Sequence, residues 1–439
     1  MIIDFTECLK SKIPNNHKID NLHIFNPSTL NTEEYEIYTY RTIISNSDKK
    51  QDPKDFWDDL FSGSNMPVTP TIETLGSQNE YLNQNDTSIL YDPKTHYYDS
   101  TAIIINNLKT GESFSDIRPF KNNMTDVRVQ RIGDDVYLTG NIYLNGNLKM
   151  IRRKLNLTKP IYFGPEESVI PSAIKERQIE KNCVYSPCGT FNYDIDGRFI
   201  FYKDGLKTQD ISLFQYLKNQ YGSSNIFFSL GTPPISYNEK EYLSVGHIKI
   251  DHVKCYSKYD FKSFSFNKKF VGKYVYFMFI FLIDKESGYV TKISEAFIPT
   301  MPNNYNTIVF PCGNKFLNDW ELQISYGEGD VSCKSLVINR AEIGSMLTHK
   351  PNEIKKYDFK FLVFSPDVII YKNGIFYSED KLTILPSCIL NRKYLILLDI
   401  VKRIPGKYVD YLPIKDKIPA YLAEAMRRFE NGMFKYKNF

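Results

Sequence analysis

The chain has 439 residues, of which 42% are hydrophobic and 24% charged, and its 55 basic and 51 acidic side chains leave a net charge of +4. That composition excludes a chain disordered throughout and gives ample length to bury a core. The near-balance of charge offers no support for binding nucleic acid through bulk electrostatics.

The opening residues, MIIDFTECLKSK, lack the basic start and long apolar core of a signal peptide. The longest apolar run, YVYFMFIFLI at 274–283, is half the length that spans a bilayer and reads as a buried strand. No membrane span is expected, and the expected location is cytoplasmic. Seven cysteines, an odd number without CxxC spacing, fit a reducing compartment and argue against structural zinc or a disulfide scaffold. The 32 Tyr and 30 Phe, with abundant Ile, favour strands. An AT-rich coding sequence, as in some large DNA viruses, protists or low-GC bacteria, would give the same bias.

Along the chain one unit recurs: an apolar strand with a polar tip, a turn rich in Asn, Asp, Gly or Glu, and an alternating second strand. It occurs at 25–41, 125–141, 180–203, 231–250 and 307–338. Five hairpins at long, uneven spacing predict an all-β fold, a five-bladed β-propeller with insertions between units. A β-sandwich is the competing arrangement. Residues 1–344 would form the propeller, with a polar insertion at about 46–90. Residues 345–439 would be a C-terminal α+β extension that closes the ring or forms a small module. Helices are few and decorate the ring. One follows Asp52-Pro53, one is capped by Asp210 and stops at Gly222, and an amphipathic one covers 419–430.

The polar tips carry the candidate chemistry. Asn26 marks the first unit, Asp126 and Arg128 the second, Lys181 and Asn182 the third, His247 the fourth and Asp330 the fifth. In a propeller these tips converge on one channel mouth. A carboxylate, cations and an imidazole would then share a pocket, which is the equipment for protonating a glycosidic oxygen, binding hydroxyls and holding a phosphate. Each residue also has a plainer reading, as a turn aspartate, a solvated lysine or a core histidine. Cys183 and Cys188 read as packing residues.

Taken in order, FNPS with YTYR, then TDVR, EKN, GTPPI with YLSVGH, and SYGEGD resemble the motif series of glycoside hydrolase family 130, the β-mannoside phosphorylases, and of related β-mannosyltransferase-like propellers. The resemblance covers roughly residues 20–340 and implies a five-bladed propeller. It makes Asp126 the proton donor and assigns Arg128, Lys181, Asn182 and Asp330 to substrate. It assigns His247 to phosphate, with Lys181 beside it, and sets Arg152 or Arg153 where the family often carries a phosphate-binding cation. Three departures stand out. The second motif reads Thr-Asp-Val-Arg where the family has Glu-Asp-Pro-Arg. Ile248 follows His247 in place of Gly. The stretch SSNIFFSLG before the Pro-Pro pair lacks the family's lysine.

These readings imply a carbohydrate-active enzyme that transfers a hexosyl group, mannosyl by resemblance, to or from a β-linked glycoside. Asp126 is its general acid or base, and phosphate or a sugar phosphate is its anion. A hydrolase would need a second carboxylate about 6.5–9.5 Å from the first, for which Asp330, Glu180 and Glu328 are candidates. The thinned phosphate motif favours transfer. The alternative is an inactive propeller that binds glycans or serves as an interaction or virion scaffold. Without a P-loop, dinucleotide fingerprint or zinc spacing, no cofactor or metal is expected.

Overall fold

The computed structural model of the protein describes residues 2–4, 22–45, 80–81, 97–118, 124–144, 147–158, 161–175, 177–251, 274–299, 308–329, 332–353, 359, 361–363, 369–372 and 375–378. Alternating aromatic and β-branched residues make most of them strands, and the strands fall into five antiparallel blades. Blade one runs Leu22–Asn31, Tyr35–Ser45, Tyr97–Asn107 and Ser113–Arg118 from the axis outwards. Blade two runs Thr125–Ile132, Asp135–Leu144, Asn147–Asn156 and Tyr162–Phe163, with Glu80–Tyr81 at its edge. Blade three runs Val184–Tyr185, Phe191–Asp194, Arg198–Tyr202 and Leu206–Asp210. Blade four runs Ile226–Ser229, Glu241–Asp251, Tyr274–Asp284 and Ala296–Ile298. Blade five runs Val309–Asn318, Glu321–Glu328 and Ser332–Asn339, and Ile2–Asp4 completes its outer edge.

The fold is therefore the expected five-bladed β-propeller. Its ring is closed by the pairing of Ile2–Asp4 with the third strand of blade five, Ile2 opposite Leu336 and Asp4 opposite Lys334. Each junction between blades is filled by side chains from both neighbours. Ile37 and Ile103 meet Val127 and Leu138 between blades one and two. Met150 meets Tyr185 and Phe191 between two and three. Phe199 and Phe281 meet edge to face between three and four. Ile24 and Tyr40 pack on Cys333 between one and five. Burial of this kind stabilises by roughly 25 cal/mol per Å² of apolar area, and spreading it over every junction holds the inner strands in a fixed circle.

The sequence-predicted hairpins at 25–41 and 125–141 are the first two strand pairs of blades one and two. The units at 180–203 and 307–338 each hold three strands, because a second turn lies inside each. In blade four the innermost strand is Ile226–Ser229, upstream of the expected hairpin. Residues 235–236 pair with Leu243 and Tyr242. The apolar run at 274–283 is the buried third strand of that blade.

The helix expected after Asp210 spans Ser212–Tyr221 and stops at Gly222, whose φ of 90° suits glycine. Asp210 does not cap it. That carboxylate pairs with Arg198 at 2.7 Å on the neighbouring strand, and Ile211 takes the N-cap position. A second helix, Arg340–Met346, starts in a capping box between Asn339 and Glu342 and runs across the boundary expected at 344. Of the C-terminal extension, Phe361–Val363 lies parallel to Ala296–Ile298 in blade four, and Ile369–Lys372 forms a hairpin with Ile375–Ser378. The helices expected after Asp52 and at 419–430 lie outside the described residues, as does most of the insertion at 46–90. Among the described residues no helix is long and apolar enough to cross a membrane.

Blades five and one are pressed together at Gly313, where an added Cβ would stand 2.5 Å from the Thr29 amide nitrogen and 2.9 Å from the Ser28 Cα. Both are backbone atoms that cannot swing away. Gly313→Ala should lower the unfolding free energy by about 1–3 kcal/mol, as overpacking does. Urea denaturation measures it, and an unchanged midpoint would mean the two blades are not in contact there.

Candidate active site

The site begins with two breaks in strand register. In blade one the pairing slips between Phe25 and Ser28, and in blade two between Thr125 and Arg128. Each slip is a β-bulge, and each holds a polar residue in the left-handed region, Asn26 at φ 52° and Asp126 at φ 50°. Asn and Asp tolerate that region better than other side chains. Asn182, at φ 64°, repeats the conformation just before the innermost strand of blade three. Thr39 donates to the Val127 carbonyl at 2.8 Å and Thr101 to the Met124 carbonyl at 2.7 Å. Both bonds fasten the segment around Asp126 to blade one.

Asp126 accepts from Asn26 Nδ2 at 2.9 Å and from Arg41 Nη1 at 3.3 Å. Burial pushes its carboxyl up. The Arg41 guanidinium, the Asn26 hydrogen bond and the charges of Arg128 and Lys181 outweigh that and hold it below the usual carboxylate range. Asp126 is therefore ionised at neutral pH.

Arg128 is 1% exposed. Its Nε donates to the Gly231 carbonyl at 2.5 Å and its Nη2 to Asn182 Oδ1 at 3.0 Å, so one side chain of blade two reaches both blade three and the end of blade four's inner strand. The guanidinium lies 5.6 Å from the Phe310 ring of blade five. Among the described residues its Nη1 is buried without a hydrogen-bond partner, and so are Asn26 Oδ1 and His247 Nδ1.

His247 sits on the second strand of blade four, its ring 4.9 Å from Phe310 and stacked on Tyr276 at 5.8 Å. Burial, then the charges of Arg128, Lys181 and Lys249, push the imidazole down to about 3. It is neutral at physiological pH. Lys181 is exposed, and its charge acts on both Asp126 and His247.

Six of the seven expected tips, Asn26, Asp126, Arg128, Lys181, Asn182 and His247, are thus linked by hydrogen bonds or by charge. Asp330 lies outside the described residues. Arg152 and Arg153 belong elsewhere. They stand on the third strand of blade two, two strands out from Asp126. Arg152 pairs with Glu167 at 2.8 Å between the Tyr137 and Tyr185 rings, and Arg153 donates to the Gly164 carbonyl at 2.8 Å over Phe163. Glu180 is buried, accepting from the Arg177 amide and from Tyr193 at 2.8 Å, and Glu328 is ion-paired with Lys334.

Arg41 and Gly327 are the residues that sequence reasoning missed. Arg41 ends the YTYR string and pairs in register with Phe25, one residue before the bulge. Gly327 leaves room for Asn26, since a Cβ there would lie 2.1 Å from Asn26 Oδ1. The only signal in the sequence for either was its place beside a motif.

No protein-family model and no curated protein matches the chain. Among solved structures it is similar to the β-1,2-mannobiose phosphorylase of Listeria innocua in complex with β-1,2-mannobiose. That match has 14% identity and a TM-score of 0.44 over 75% of this chain and 93% of that one. It is also similar to a GDP-Man-dependent mannosyltransferase from Leishmania mexicana, at 10% identity and a TM-score of 0.40 over 77% and 89%. A mannose phosphorylase from the same organism, in complex with a phosphate ion, matches at 11% identity and 0.39 over 76% and 90%. The five blades and the site described above rest on the strand pairing and side-chain contacts of this chain.

The buried neutral imidazole has a measurable consequence. The unfolded chain takes up a proton at His247 below about pH 6.5, and the folded one does not until near 3. Its contribution to stability is complete above the upper value and is lost as pH falls, by up to about 1.4 kcal/mol per pH unit. The stability of wild type relative to His247→Gln should therefore fall by up to about 2 kcal/mol between pH 6.5 and 5, read by urea unfolding. A difference that stays constant would show an imidazole already open to water.

Proposed function

We propose that the channel mouth is the active site of a carbohydrate-active enzyme that moves a hexosyl group, mannosyl by the resemblance of its motifs, between an oxyanion and a glycan hydroxyl. The carrying observation is one carboxylate, Asp126, set among Arg41, Arg128 and Lys181 beside a neutral His247. Proton exchange needs the carboxylate, and an anionic leaving group or nucleophile needs the cations.

In the synthetic direction an acceptor hydroxyl gives its proton to ionised Asp126. The acceptor oxygen bonds to the anomeric carbon of a sugar phosphate or sugar nucleotide, the bond from that carbon to the phosphate oxygen breaks, and the phosphate leaves onto Arg128, Lys181 and His247. Cleavage is the reverse, with phosphate attacking and Asp126 returning the proton to the departing oxygen. Asn26 and Asn182 would bind hydroxyls in this reading. The resting charge of Asp126 suits the synthetic direction.

Hydrolysis is the weaker reading. Glu180 and Glu328, two of the three candidates for a water-activating base, are occupied by other partners. A glycan-binding propeller without turnover would use the same groove and is separated by the assay below.

Wild type incubated with mannose 1-phosphate or GDP-mannose and a panel of mannoside acceptors should form product. Asp126→Asn should be slower by about 10²–10⁴-fold, the worth of a positioned acid or base. Equal rates would remove Asp126 from the chemistry. Glycan binding with no turnover on any donor would favour the binding propeller.

A further inference from the structure

Two hairpins, in blades four and five, end in the same turn. In blade four it reads Asn238-Glu239-Lys240-Glu241 and in blade five Asn318-Asp319-Trp320-Glu321. In each, the asparagine Oδ1 accepts from the amide two residues on, at 2.8 Å from Lys240 and 2.9 Å from Trp320. In each, its Nδ2 donates to the closing glutamate at 2.9 Å. The turn is thus made without the side chain at its third position. That side chain is an exposed lysine in one blade and a tryptophan, 66% exposed, in the other. The sequence has two tryptophans, and this one is the most exposed large hydrophobic side chain among the described residues. Folding gains nothing from so much apolar surface left in water. A ligand that covers it does.

The backbone beneath the ring is fixed. The Trp320 carbonyl accepts from the Arg340 amide at 2.7 Å, and Glu321 pairs in register with Asn339. Arg340 also ties the two turns together. Its guanidinium donates to the Asp319 carbonyl at 3.2 Å and to the Tyr237 carbonyl, and it lies 4.7 Å from the Tyr237 ring and 5.3 Å from the Phe316 ring. A support held in this way has little conformational freedom left to lose on binding.

Size and charge select the ligand class. A stable protein interface needs about 800 Å² from each side, and a tryptophan offers at most about 250 Å². Leu317 is the other exposed large hydrophobic residue at this end of the hairpin. Within the two turns four carboxylates stand against one cation, Lys240, which disfavours an anion. A neutral sugar ring fits both limits. Its flat C–H face carries partial positive charge and is attracted to the face of an indole. Its hydroxyls need polar partners at the border. Asp319 supplies one side, and the open depression beside the blade four turn, lined by Asn238, Glu239, Lys240, Glu241 and Asp284, supplies the other.

We propose that the paired turns of blades four and five form a second carbohydrate-binding site, separate from the channel mouth, where a neutral glycan chain stacks on Trp320. Phe310, beside Arg128 and His247, stands near the start of the inner strand of blade five and Asn318 at its end. At 3.3 Å per residue the two are about 25 Å apart. The site therefore holds a glycan at a distance from Asp126, and it stands whether or not the reaction proposed above takes place.

Native electrophoresis through gels cast with an α-mannan, a glucomannan or a β-glucan reads the binding as retardation. Wild type should be retarded by at least one of these neutral polymers. Trp320→Lys copies the blade four turn, so it should keep the wild-type midpoint in urea while its affinity for that polymer falls by roughly fivefold or more. Trp320→Tyr keeps a ring and should bind better than Trp320→Lys. Three results would each overturn the proposal: no retardation of wild type by any of the polymers, equal retardation of wild type and Trp320→Lys, or a dimer in sedimentation that Trp320→Lys splits, which would make the patch a contact between two copies of the chain. Retardation reads binding alone, so turnover on any donor, or its absence, does not bear on the outcome.

Discussion

The site depends on a backbone constraint before it depends on any charge. A regular strand turns alternate side chains to opposite faces, so a strand lining a channel would give half its residues to the packing between blades. The bulges at Asn26 and Asp126 insert a left-handed residue into that alternation and re-aim two polar side chains towards each other. Such a conformation costs an ordinary residue of order 1–2 kcal/mol. It persists because both bulges are pinned from outside. Thr39 and Thr101 bind the carbonyls on either side of Asp126, and Gly327 leaves the space that Asn26 fills.

Electrostatics then follows from position. A guanidinium taken fully from water carries a penalty of several kcal/mol. Arg128 offsets part of it through the Gly231 carbonyl, Asn182 and the Phe310 ring, contacts that come from three different blades. It is therefore both a charge and a tie across the channel. With Arg41 and Lys181 nearby, the balance around Asp126 is cationic, which keeps the acid ionised against the effect of burial and adds to burial in keeping the histidine neutral.

Much of this was legible in the sequence because propeller blades are local. Alternation and turn residues marked the hairpins at 25–41 and 125–141 without knowledge of the ring, and the polar tips stood at comparable heights on successive units. What the sequence could not show was rank within a blade. Arg152 and Arg153 lie close in sequence to Asp126 but two strands from the axis, where Glu167 and the Gly164 carbonyl engage them. The Asp210 cap failed for a related reason, since a cross-strand arginine competed for the same carboxylate. Arg41 escaped notice because its meaning is a register partnership with Phe25, which only the folded pair displays.

The departures from the family motifs also make physical sense once the faces are known. Val127, at the position the resemblance gives to proline, is 1% exposed and packs in the core between blades one and two. Ile248 follows His247 on the opposite face of its strand and is wholly buried in the core shared by blades three to five. Beside the stretch SSNIFFSLG a cation stands one strand over. Lys249 pairs in register with Phe227, lies 3.9 Å from the Tyr274 ring, and adds its charge to those acting on His247.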